Sequence, residues 1–174
     1  MLILISILSA LLILGFTFAV CFAGKCGCDW CRRIPRNRTL GLAVGLLVLC
    51  WGARDGAAML PASYTPWCWA AVPAAALLCH FFLDYTAARS LGGIMVMLAN
   101  YMIQHAFAED VCCRILYGGV SLIWGLLGIC VIAWPWWLRD ALEFFRSPRP
   151  PGIKAAVCTA GVLSALILIL LPIL

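Results

Sequence analysis

The basic residues of this chain sort by position between long apolar runs, and that sorting limits the fold more than any motif does. Three polar segments, 24–38, 84–89 and 136–154, hold ten of the twelve Lys and Arg residues: Lys25, Arg32, Arg33, Arg36, Arg38, Arg89, Arg139, Arg146, Arg149 and Lys154. The exceptions are Arg54 and Arg114. If the apolar runs cross a membrane in alternation, all three segments fall on one side. Retention of Lys and Arg during insertion makes that side cytoplasmic.

Composition points the same way. The chain is 66% hydrophobic and 11% charged, with a mean hydropathy of +1.07. A soluble chain of 174 residues needs more polar surface than this to cover a core. The net charge of +5 is accounted for by short loops that satisfy the insertion rule and can meet anionic headgroups. No basic face or fold signature supports a nucleic-acid partner. The expected partners are the lipid bilayer and other membrane proteins or further copies of the chain.

A helix that crosses the ~30 Å hydrocarbon layer needs about 20 mostly apolar residues. Leu2–Ala23, Trp67–Leu83, Leu91–Phe107, Ile115–Trp134 and Ile153–Ile173 meet or approach that length. Leu40–Met59 is interrupted by Gly52-Ala53-Arg54-Asp55-Gly56, yet counting it preserves the ten-to-two charge split. The first run lacks a basic leader and exceeds the ~7–15 apolar residues of a signal peptide, so it reads as a retained helix. The expectation is a single all-α polytopic domain of six transmembrane helices over 2–23, 40–59, 67–83, 91–107, 115–134 and 153–173. Both termini are expected on the non-cytoplasmic side of a plasma membrane or bacterial inner membrane.

Trp51, Tyr64, Trp67 and Trp69 cluster at one membrane boundary, and Trp134, Trp136 and Trp137 at the other, as interfacial anchors do. Pro135 closes the fifth helix. Residues 137–147 then place Trp137, Leu138, Ala141, Leu142, Phe144 and Phe145 on one helical face. Arg139, Asp140, Glu143, Arg146 and Ser147 fall on the other, with Arg139 and Glu143 spaced to pair. This pattern predicts an amphipathic helix lying in the inner leaflet between helices five and six. Small residues recur every four positions at Gly152, Ala156, Ala160 and Ser164, at Gly41 and Gly45, and at Ser121 and Gly125. Such ridges let helices approach closely and are expected to face neighbours within the bundle.

Eleven cysteines raise the question of thiol chemistry. Cys26, Cys28 and Cys31 form a C-x-C-x-x-C run beside Lys25, Arg32 and Arg33, which lower thiol pKa values and suit a soft metal ion. Unligated thiols are the commoner outcome of such a run. Cys112 and Cys113 form a vicinal pair on the opposite side, with Cys50 and Cys68 as candidate disulfide partners. This arrangement resembles that of mercury-import membrane proteins, in which an outer cysteine pair hands metal to inner thiols. Those proteins carry the pair in their first helix, whereas here it opens the fifth. The likeness implies capture at Cys112 and Cys113 and receipt at Cys26, Cys28 and Cys31. Cys50, Cys79, Cys130 and Cys158 lie within helices, where cysteine usually serves as a small apolar side chain.

Two histidines have an acid four residues on, His80 with Asp84 and His105 with Glu109, and the spacing predicts a histidine oriented by its acid. They fall at opposite ends of their helices, which disfavours a joint metal site. Asn100, Gln104 and His105 are the intramembrane polar residues of the fourth helix. The two amides should find partners on other helices of the bundle; a transport pathway is the alternative. No phosphate-binding loop, HExxH, GxSxG or dinucleotide fingerprint is present, and no titratable groups converge at one depth. The chain is therefore expected to be a non-enzymatic subunit, scaffold or assembly factor needing no cofactor. A soft-metal carrier using the cysteines is the alternative, and a proton-coupled transporter using Asn100, Gln104 and His105 is a weaker one.

Overall fold

The computed structural model describes residues 2–22, 36–108, 111, 113–146 and 151–172. The protein is all-helical, with no strand among the described residues. The helices are α1 (Leu2–Phe22), α2 (Arg38–Met59), α3 (Thr65–Phe82), α4 (Thr86–Ala108), α5 (Arg114–Ala133), α6 (Trp136–Arg146) and α7 (Pro151–Leu170), with a 3-10 turn at Ala62–Tyr64. Five of them, α2, α3, α4, α5 and α7, are long and apolar enough to cross a membrane. α1 adds an apolar stretch over Ile3–Ala19. Large side chains such as Leu4, Phe81, Phe82 and Ile115 lie bare on the outside, as suits a protein whose solvent is lipid.

The helix ends follow local chemistry. Asn37 caps α2, its Oδ1 accepting from the backbone N–H groups of Thr39 and Leu40 at 3.1 and 3.2 Å. α2 then runs unbroken through Gly52–Gly56. Pro66 sits in the first turn of α3, where a missing N–H costs nothing. Tyr85 before α4 and Cys113 before α5 both take left-handed backbone, with φ of 57° and 52°.

α4 is the hub. It packs most extensively on α5 and on α2, and it also touches α1, while α1 and α7 form a second close pair. One face of α4 meets α2: a Cβ on Gly41 would come within 2.5 Å of the Ala87 backbone nitrogen, and Ser90 Oγ donates to the Gly41 carbonyl at 2.7 Å. The other face meets α5, where a Cβ on Gly92 would stand 2.7 Å from the Gly128 carbonyl and one on Gly128 would stand 2.8 Å from the Gly92 carbonyl. Apolar burial gives little drive between helices in lipid, so this backbone-close packing carries the association.

At the opposite end of α4 a side-chain core takes over. Tyr117 is fully buried with Leu98, Met102, Ala106, Ala10, Ala165 and Leu168. Its hydroxyl shares a 2.6 Å hydrogen bond with Ser6 Oγ of α1. That bond fixes the start of α1 beside the start of α5. Three other buried hydroxyls satisfy themselves along their own helices: Ser9, Thr17 and Ser121 each donate to the carbonyl four residues back.

The three small-residue ridges differ in fate. Those at Gly41 and Gly45 and at Ser121 and Gly125 face α4, as expected. The α7 ridge does not face the bundle. Gly152, Ala156 and Ala160 are exposed, and a Cβ on Gly152 would meet nothing within 4 Å. The reason is rotation: α7 turns Gly161, Ala165 and Leu168 inward, with Gly161 against Thr17 of α1, and this leaves the ridge outside.

Gly92→Ala should therefore lower the thermal midpoint in detergent by the equivalent of about 1–3 kcal/mol, the usual cost of overpacking a tight interface. Gly119→Ala, whose Cβ would meet nothing within 4 Å, should leave the midpoint unchanged in the same fluorescence melt. Tyr117→Phe should cost about 1 kcal/mol, the net worth of one buried hydrogen bond.

Candidate functional site

Two clusters of polar side chains stand out, one towards each end of α4. The first lies on the strip of α4 left bare between its α2-facing and α5-facing sides. Asn100 and Gln104 are one turn apart, both exposed, and Gln104 Nε2 donates to Asn100 Oδ1 at 3.2 Å. Asn100 stands eight residues, roughly 12 Å at the helical rise, before the end of α4. The amides thus bond each other and point away from the bundle, contrary to the expectation that they join its helices. The strip is unpaired because Gly92, Met95, Val96 and Ala99 already meet α5, while Ala87, Ser90 and Gly93 meet α2.

His105 turns off this strip. Its ring lies on Tyr101, with centroids 4.0 Å apart, and Tyr101 in turn meets Trp51 of α2 edge-on at 6.3 Å. Sequence brought Asn100, Gln104 and His105 together as one polar set. The structure keeps the two amides together and puts the histidine in an aromatic stack.

The second cluster surrounds Tyr85, in the short connection from α3 to α4. Arg36 Nη2 donates to the Tyr85 hydroxyl at 2.9 Å, and the same guanidinium lies 5.1 Å from the ring centre in a cation–π contact. From α6, Arg139 Nη1 also donates to that hydroxyl, at 3.4 Å. Arg139 is paired with Asp140 through Nε at 2.9 Å and Nη2 at 2.7 Å, while its predicted partner Glu143 adds a weaker attraction through space. The hydrogen bond to Asp140, and then that carboxylate's charge, hold the Arg139 pKa above its ordinary value. Arg89, one turn into α4, sends Nη1 to the Ile132 carbonyl at 3.0 Å. It thereby serves one of the open carbonyls at the end of α5, where a cation also opposes the helix dipole. Its Nε is buried without a hydrogen-bond partner. Nothing in the spacing of Arg36, Tyr85 and Arg139 signals their convergence, because it depends on how three separate segments fold together.

The thiol expectations fare unevenly. Cys26, Cys28, Cys31 and Cys112 lie outside the described residues. Cys113 is exposed at the start of α5, beside a shallow cavity of about 900 Å³ lined by Arg114, Ile115 and Val120 among others. Cys50 and Cys68 are free thiols, so neither is its disulfide partner. Cys79 and Cys130 are free as well, while Cys158 is disulfide-bonded rather than a plain apolar side chain. Among the described residues no three His, Cys, Asp or Glu side chains gather as a metal would need.

The expected His80–Asp84 pair does not form. α3 ends at Phe82 and Leu83 is extended, so Asp84 leaves the helical face that the four-residue spacing assumed. His80 meets Phe81 edge-on instead, and its Nδ1 is buried without a partner. No known protein family, curated protein or solved structure matches the chain.

An unsatisfied buried nitrogen contributes nothing that an apolar ring would not. His80→Phe should keep or raise the melting midpoint in a fluorescence melt; a drop of several degrees would assign His80 a partner and a role.

Proposed function

We propose that the protein is a membrane-embedded subunit or assembly factor without catalytic chemistry of its own, and that it joins a partner helix through the outer half of α4. The observation that carries this is the Asn100–Gln104 pair. Amides in hydrocarbon need partners, and one hydrogen bond between them leaves two N–H donors on Asn100, one on Gln104 and most of the carbonyl capacity unused. A neighbouring transmembrane helix with a polar side chain would supply the rest. The outward small-residue ridge of α7 offers a second place for close helix contact.

In this reading α1 is a sixth span, and both termini lie on the non-cytoplasmic side. The antiparallel fit of Thr17 on Gly161 and the shared end of Ser6 and Tyr117 agree with alternating crossings. Exposed Trp136, Trp137 and Phe144 favour α6 as an amphipathic helix lying in the inner leaflet, with its apolar face in lipid.

A photo-crosslinking amino acid at Ile103 or Phe107, flanking the amides, should trap one discrete protein partner in native membranes. Asn100→Leu with Gln104→Leu should abolish that adduct and the co-purification of the trapped protein. The double variant should still melt as cooperatively as the parent, since among the described residues these amides bond only each other. Lipid adducts alone, with the variant indistinguishable from the parent, would sink the reading.

A further inference from the structure

We infer that the Tyr85 cluster binds the phosphate of an anionic membrane phospholipid, with one acyl chain lying in the adjoining groove between α3 and α4. The donor nitrogens of Arg36 and Arg139 reach the same phenolic oxygen at 2.9 and 3.4 Å, so the two cations are held close together. Asp140, with a weaker attraction from Glu143, answers the charge of Arg139, but among the described residues Arg36 has no carboxylate partner. Arg89 lies a turn away with only a backbone carbonyl on Nη1 and an empty Nε. Asp84 beside them is exposed and bonds none of the three. Converging guanidiniums around a neutral hydroxyl match a phosphate, whose oxygens accept charge-assisted hydrogen bonds in the fork geometry that arginine presents. Tyr85 is held there in left-handed backbone, which a non-glycine residue keeps only where its surroundings enforce it.

The apolar half of the ligand follows from the packing. α3 runs along α2 and barely touches α4, leaving a groove floored by α2. This pocket of about 210 Å³ is lined by Leu42, Leu46, Leu49, Ala76 and Leu83, with Thr86, Arg89 and Ser90 at its polar end. Leu46 at its rim is exposed. A free phosphate would use the cations and leave the groove open to hydrocarbon, whereas a phospholipid uses both. Basic pockets between helices on the cytoplasmic side commonly take anionic headgroups. The leaflet assigned here rests on the orientation proposed above; the site does not depend on the partner at α4.

The test is native mass spectrometry of the purified full chain, titrated in detergent with dioleoyl phosphatidylglycerol or dioleoyl phosphatidylcholine. One phosphatidylglycerol should bind at least tenfold more tightly than phosphatidylcholine. Arg36→Gln and Arg139→Gln should each weaken it about tenfold, the effect of losing one hydrogen bond to a charged group. Arg54→Gln, at the far end of α2, should not. In the unaltered protein, phosphatidylglycerol should slow N-ethylmaleimide labelling of Cys79, which lines the groove, and leave Cys68 labelling unchanged. That readout decides the matter even if Arg139→Gln fails to fold. Equal binding of the two lipids, an equal loss in Arg54→Gln, unprotected Cys79, or full displacement of the lipid by inorganic phosphate would each overturn the proposal. The Asn100→Leu, Gln104→Leu protein should retain the lipid, so failure of the partner reading leaves this one standing.

Discussion

α4 is clamped between two helices by contacts that leave no room for side chains. Gly41 on α2 lies against Thr86 and Ala87, and Gly92 and Gly128 bring α4 and α5 together backbone to backbone. In water such contacts would supplement an apolar core. In lipid the surrounding chains are as apolar as leucine, so dense packing and hydrogen bonds must supply the association themselves. Everything placed on α4 inherits its position from this clamp. The groove beside α3 exists because α2 is drawn onto α4 while α3 is not.

The same solvent explains the handling of polar groups. Ser9, Thr17 and Ser121 donate to their own helices, Ser90 donates to the Gly41 carbonyl of α2, and the buried Tyr117 hydroxyl finds Ser6. Arg89 is tolerated because an α5 carbonyl, itself without a helical partner, receives it. Against that economy the exposed Asn100–Gln104 pair and the crowded cations at Tyr85 are departures. Departures of this kind are where function is expected.

Much of the architecture was legible, because a run of about 20 apolar residues is a strong signal of a membrane helix. The helices fall where the runs are. The starting point of α4 was not legible: its apolar run opens at Leu91, but the helix opens at Thr86 and includes Arg89, whose charge reads as a loop until the Ile132 carbonyl is seen to accept from it. Periodicity identified small-residue ridges without showing which way they point, so the α7 ridge turned out to face outward. Four-residue spacing implied a His80–Asp84 pair only while the helix continued, and it ends at Phe82. Of the candidate site, the amides could be read from sequence as polar residues at membrane depth. The Tyr85 cluster could not, since its members come from positions 36, 85 and 139 and meet only through tertiary packing.

The two ends of α4 are built differently, and that difference suits them to different neighbours. One end is a dense core around Tyr117, Leu98 and Met102, which leaves the helix free to show polar side chains on its bare strip without loosening the bundle. The other end is held by glycine contacts, and its side chains are therefore few and small. α3 packs along α2 and leaves a groove beside α4 there, and among the described residues Arg139 alone of Arg36, Arg89 and Arg139 forms a salt bridge, with Asp140. The proposed partner helix and the proposed phospholipid would be different answers to one condition: polar groups at membrane depth whose hydrogen-bonding capacity the described bundle leaves unused.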